Sequence, residues 1–64
     1  MGKKKVFTIT KIYERHNEDC CYYVVTNSIG RLYFFYDLIQ AEHFVESRNA
    51  TYKYEEQEVG WLCK

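Results

Sequence analysis

The residues of this chain that could do chemistry are few and badly spaced for it. Cys20 and Cys21 are adjacent, Cys63 lies in the tail, and His16 and His43 are the two histidines. A structural zinc site draws on paired spacings such as Cys-x2-Cys or His-x3-His, and neither occurs here. Adjacent cysteines on a strand point to opposite faces, so they neither bond each other nor converge on one ion. A cysteine–histidine dyad would also need an oxyanion donor and a substrate cleft, which a chain of 64 residues rarely encloses. His16 reads as a turn residue and His43 as a solvated helix residue. The expectation is no metal, no cofactor and no enzymatic activity. Three cysteines are an odd number, whereas secreted mini-proteins carry four, six or eight. Reduced thiols and a cytoplasmic location follow. Asn49-Ala50-Thr51 fits a glycosylation acceptor, but no apolar block of signal length follows the basic start, so the match reads as accidental.

Charged side chains offer two other chemistries. Glu42 and Glu46 stand four residues apart, with Glu55, Glu56 and Glu58 further on. Such a set is a solvated surface, or a negative patch that docks on a basic partner or imitates phosphates. Lys3, Lys4, Lys5, Lys11, Arg15 and Arg31 are interleaved with Phe7, Tyr13, Tyr22, Tyr23 and Tyr33. Aromatics on a sheet beside basic groups can stack unpaired bases. Yet nine basic and nine acidic residues cancel, so a strongly basic footprint is missing. No Gly-x-x-Gly loop is present, nor the signature residues of the four-stranded RNA-binding sheet or of small Greek-key barrels. Residues 1–32 hold six basic and three acidic groups (+3), and residues 33–64 the reverse (−3). Opposite signs in the two halves can attract within a fold or between copies.

The elements that would position these groups can be read from periodicity. The length sets one domain, residues 1–64, with 1–4 as a frayed terminus. Val6–Glu14 is rich in β-branched residues and reads as a strand. The cluster His16-Asn17-Glu18-Asp19 is the turn. Cys20 to Asn27 is the second strand, and Asn27-Ser28-Ile29-Gly30 a hairpin connection that Gly30 closes in a left-handed conformation. Arg31 to Tyr36 is the third strand. Asp37 then begins a capping box with Gln40. Leu38, Ala41 and Val45 share one helical face, with Phe44 and the Arg48 stem beside them and Ile39 off the stripe. The helix spans 38–48, and Asn49 is its left-handed stop. Thr51 to Glu58 alternates as an edge strand, and Gly60 bends the chain before Trp61 packs. The expected architecture is α+β: a small antiparallel sheet with one helix packed on one face, in the order β-β-β-α-β.

A half-exposed sheet should show one apolar and one polar face. Here the second strand splits into Cys21, Tyr23, Val25 and Cys20, Tyr22, Val24. The third splits into Leu32, Phe34, Tyr36 and Tyr33, Phe35. The first splits into Phe7, Ile9, Tyr13 and Val6, Ile12. A three-turn helix is about 16 Å long and covers one face only. The other face must go against a second copy, against a different partner, or into a barrel closed by curling. Seven tyrosines in 64 residues favour an interface, since tyrosine combines contact area with a polar tip. The expected function is a non-enzymatic protein-interaction module, homodimeric, acting as a small regulator or inhibitor of the viral or mobile-element type. Its expected contacts are Tyr22, Tyr33 and Phe35 of the sheet and Glu42 and Glu46 of the helix flank. The competing expectation is a single-stranded nucleic-acid binder using Lys3, Lys4, Lys5, Lys11 and Arg15. No run of apolar residues is long enough for a membrane span.

Overall fold

The structure is a computed structural model that describes residues 5–62; Lys3, Lys4 and Cys63 lie outside the described residues, as does the expected frayed terminus. Five elements follow one another: β1 (Val6–Glu14), β2 (Asn17–Thr26), β3 (Leu32–Phe35), α1 (Leu38–Ser47) and β4 (Thr51–Val59). They form a four-stranded sheet in the order β3-β2-β1-β4, with α1 on one face. The β1–β2 and β2–β3 pairs are antiparallel. The fourth strand amends the all-antiparallel expectation, because β4 runs parallel to β1. Its direction follows from the connection: the chain returns through α1, and a helical crossover is what joins strands of the same sense. β3 and β4 are the two edges and do not pair, so the sheet is open rather than curled into a barrel.

The first turn is tighter than its polar composition implies. Asn17, Glu18 and Asp19, expected in the loop, belong to β2. The ladder runs Tyr13↔Cys21 and then Glu14↔Asn17, so an irregularity absorbs residues 18–20. There the Asp19 N–H donates to Asn17 Oδ1 at 3.2 Å, the Asx geometry that lets asparagine bend a chain. The second turn matches its sequence reading. The Gly30 N–H donates to the Asn27 carbonyl at 3.1 Å, Asn27 Oδ1 accepts from the N–H groups of Ile29 and Arg31, and Gly30 takes φ +88°.

Helix α1 starts on Asp37, whose Oδ1 accepts from the Ile39 N–H at 3.1 Å. The expected partner was the Gln40 N–H; the cap uses the second donor of the first turn instead of the third, and either satisfies an orphan group. At the far end Asn49 has φ 55°. Its N–H donates to the Glu46 carbonyl, and the Ala50 N–H reaches back to the Val45 carbonyl. That pair of bonds is a Schellman stop. Arg48 is the C-cap residue, and its guanidinium lies 4.9 Å from the Phe44 ring centroid.

Phe7, Ile9, Val25, Ala41 and Val45 form the buried core, with Tyr23, Tyr33, Phe35, Leu38, Phe44, Ala50 and Tyr52 packed against it. Phe44 is the hub: its ring meets Phe7 at 6.0 Å edge-on, Tyr33 at 4.5 Å and Phe35 at 5.5 Å. The helix is short for its sheet. Ten residues of helix span about 15 Å, whereas nine-residue strands span about 30 Å. The molecule is accordingly drawn out to 47 × 18 × 15 Å. Lys11, Tyr13 and Cys21 continue the helix-side face beyond the reach of α1 by register. Two expectations are corrected here. Trp61 does not pack after the Gly60 bend; it is 68% exposed. Cys20 is disulfide-bonded rather than a reduced thiol, while Cys21 is free.

Candidate functional site

Residues opposite one another in a ladder share a face, so the register defines the face that α1 leaves bare. Three rows cross it. Leu32 lies beside Thr26, Thr8 and Lys53; Phe34 beside Val24, Thr10 and Glu55; Tyr22 beside Ile12 and Gln57. Each row passes from apolar at the β3 side to polar at the β4 side. The open face is therefore not apolar throughout, as alternation in β2 and β3 alone implies. Thr8 and Thr10 interrupt it in β1, and to these three rows β4 contributes only the polar Lys53, Glu55 and Gln57.

The apolar side of this face is exposed. Leu32 is 55%, Phe34 64% and Tyr36 88% accessible. Tyr22 and Phe34 stack at 6.1 Å with a tilt of 49°. Tyr22, Phe34, Phe35 and Tyr36 line a half-open cleft of about 250 Å³. All four side chains are aromatic, so the cleft offers π-faces and phenol hydroxyls but no carboxylate, imidazole or thiol. Among the described residues, no three His, Cys, Asp or Glu side chains gather as a metal site.

The expected contact residues do not form one patch. Tyr22 is on the open face. Tyr33 and Phe35 are on the opposite face, half-buried under Phe44; Phe35 reaches the cleft only at the β3 edge. Glu42 is occupied structurally, accepting from the Tyr52 hydroxyl at 2.6 Å. That bond is the first cause of a raised Tyr52 pKa. Glu46 is exposed on α1, across the sheet from Tyr22. The basic set is dispersed as well. Lys5 precedes β1, Lys11 sits on the helix-side face with its ammonium 5.6 Å from the Tyr13 ring, and the Arg15 Nε donates to Glu58 Oε2 at 2.6 Å. That last pair is one place where the oppositely charged halves meet within the fold. No protein-family model matches the chain, and no curated protein or solved structure is significantly similar to it.

The residues the sequence reading missed are Leu32, Phe34 and Tyr36. A signal for them was present. The alternation Phe7-Thr8-Ile9-Thr10 marks the odd positions of β1 as the buried set. The Asn27–Gly30 turn ties Arg31 to Asn27, which carries that parity into β3 and turns its even positions outward.

Proposed function

We propose that this chain is a non-enzymatic protein-interaction module that presents the apolar half of its open sheet face, Tyr22, Leu32, Phe34 and Tyr36, to a protein partner. The observation that carries this reading is the exposure of Phe34 and Tyr36 beside a cleft lined only by aromatics. Contiguous exposed apolar area on so small a chain marks an interaction site, and tyrosine is a preferred contact residue. The partner chemistry that fits is an apolar surface with hydrogen-bond acceptors for the Tyr22 and Tyr36 hydroxyls. Occupying such a surface is how a small regulator or inhibitor would act. The acidic flank, Glu46 above all, faces away and serves solubility in this reading. The nucleic-acid alternative loses support from the dispersal of Lys11 and Arg15 away from the cleft; an unstructured oligonucleotide at low salt should show no binding. The Cys20 disulfide weighs against a cytoplasmic location, where such bonds are kept reduced.

The test is selection of peptide ligands from a displayed library on the folded protein, followed by amide chemical-shift mapping. Ligands should perturb residue 22 and residues 32–36, and Tyr22→Ala should weaken them about tenfold or more. Ligands that map to α1, or that bind Tyr22→Ala unchanged, overturn the reading.

A further inference from the structure

We propose that β3 is the seam of a symmetric dimer. The β3 strand of one chain pairs antiparallel with that of a second copy, centred on Phe34, so that Arg31 of each meets Asp37 of the other. The proposal rests on the same exposed strand as the interaction reading, but it assigns the strand's edge rather than its face, and names the occupant.

The backbone comes first. The Asn27 N–H donates to the Arg31 carbonyl, which makes Asn27 and Arg31 a hydrogen-bonded pair of the β2–β3 ladder. In an antiparallel ladder the backbone groups of alternate residues point to opposite sides. Tyr33 and Phe35 therefore point theirs at β2, and Leu32 and Phe34 point theirs outward, into an edge that pairs with no strand among the described residues. Phe34 can exchange both of its bonds with Phe34 of a second copy across a twofold axis.

The side chains repeat the symmetry. An isologous contact must be self-complementary. Counting outward from Phe34, Leu32 falls opposite Tyr36, and basic Arg31 falls opposite acidic Asp37. Ile29 and Ile39, both exposed, stand at equal distances beyond them. The strand is thus its own complement in shape and in charge. Asp37 Oδ1 is engaged by the Ile39 N–H, which leaves its second oxygen to accept from an arginine.

The area is sufficient. An aromatic side chain buries about 150–250 Å², so Phe34, Tyr36 and Leu32 together offer roughly 400 Å². The two isoleucines and the strand backbone bring the total near the ~800 Å² per partner of a standard interface. Pairing in this sense places both helices on one face and joins the two apolar half-faces on the other. The surface assigned above to a partner becomes continuous across the seam.

The experiment is the molar mass in solution of the full chain, of Arg31→Glu, of Asp37→Lys, and of the two variants mixed in equal amounts. The unaltered chain should be a dimer at about 100 µM. Each variant places like charges at both ends of the seam and should dimerise about tenfold or more weakly. The mixture restores attraction at both ends and should recover the dimer. Circular dichroism confirms that Asp37→Lys, which loses the cap of α1, remains folded; Arg31→Glu keeps that cap. A monomeric unaltered chain, variants that dimerise undiminished, or a mixture that stays monomeric each overturn the seam. Tyr22→Ala should leave the dimer intact. If it dissociates the dimer while Arg31→Glu does not, the copies meet face to face, which overturns the edge pairing and leaves the interaction reading standing.

Discussion

The two edges of this sheet answer the same liability in different ways. Any edge strand presents a row of unpaired backbone groups that can template another strand. β4 is long, nine residues, and answers with charge: Lys53, Glu55, Glu56 and Glu58 are all exposed. β3 is four residues, Leu-Tyr-Phe-Phe, and carries no charge at all. Its shortness is its only protection. Charges confined to one edge teach that the other is left adhesive. The acidic groups of β4 also meet basic ones in and just after β1, with Glu56 next to Lys11 in register and Glu58 bonded to Arg15.

The edges also differ in what holds them, and that difference can be broken most forcefully at Phe44. β4 is pinned along its whole length by the parallel ladder to β1. β3 is pinned by four pairs to β2 and by Phe44 pressing on Tyr33 and Phe35. Phe44→Ala should cost about 3 kcal/mol, the low end for phenylalanine because the ring is only half-buried. The loss should be uneven. Hydrogen exchange at the Tyr33 and Phe35 amides should accelerate far more than at those of β4. Uniform acceleration across the sheet would mean that the edges share one anchor.

Removing the charges of β4 should convert the guarded edge into a second adhesive one. A Lys53→Thr, Glu55→Thr, Glu56→Val triple variant keeps β propensity and discards the deterrent. A protomer with two adhesive edges no longer closes on itself and adds further copies. The mass read by light scattering should keep rising with concentration for the triple variant and level off at the dimer for the unaltered chain. A triple variant of unchanged mass would show that β4 is protected by its twist and not by its charges.

How far this comparison was legible depends on the level. The elements could be read almost residue by residue, because they are local: Asp37 caps, Asn49 stops, Gly30 turns, and the alternation at Tyr52 and Tyr54 marks a strand. Which side chains share a patch was not, since that depends on register and strand order. Tyr33 and Phe35 looked as available as Phe34; only pairing with Val25 and Tyr23, and the position of Phe44, divides them. The direction of β4 was implied by the helical connection before it, but its place beside β1 was not, as nothing in Thr51–Val59 encodes which strand it joins. The length of α1 was readable, but face alternation alone does not show how far along the sheet it reaches. A helix half as long as its strands leaves bare the end of one face as well as the whole of the other.

A smaller effect tests the junction between β3 and the helix. Asp37 ends the adhesive edge and caps α1, and these roles separate chemically. Asp37→Ala should lower stability by about 1 kcal/mol through loss of the bond to the Ile39 N–H, read as a shift in the urea midpoint. Asp37→Asn keeps an acceptor and should restore most of that stability, yet it removes the charge opposite Arg31. If both variants lose stability equally, the helix start depends on the negative charge and not on the hydrogen bond.

The smallest effect belongs to the charged edge and appears only in alkali. Desolvation, and then donation to Glu56 Oε2 at 3.0 Å, push the Tyr54 hydroxyl from 10.0 up to about 12. Tyr52 is raised too, first by its bond to Glu42. Between these values the unfolded chain has released the phenol protons and the folded chain has kept them. The unfolded state thus binds fewer protons there, and stability falls as pH rises. The contribution is complete below pH 10 and is lost on passing through about 12. The unfolding temperature should therefore decline over that interval, together with a late phase in the tyrosinate absorbance. Tyr54→Phe should remove the late phase and flatten part of the decline, since a phenyl ring keeps the packing and has no proton to lose. Among the described residues no carboxylate is bonded to the hydroxyl of Tyr33, on the opposite edge, and Tyr33→Phe should leave the late phase in place. A late phase that vanishes in Tyr33→Phe and survives in Tyr54→Phe would reverse the assignment of the alkaline transition from the β4 edge to the β3 edge.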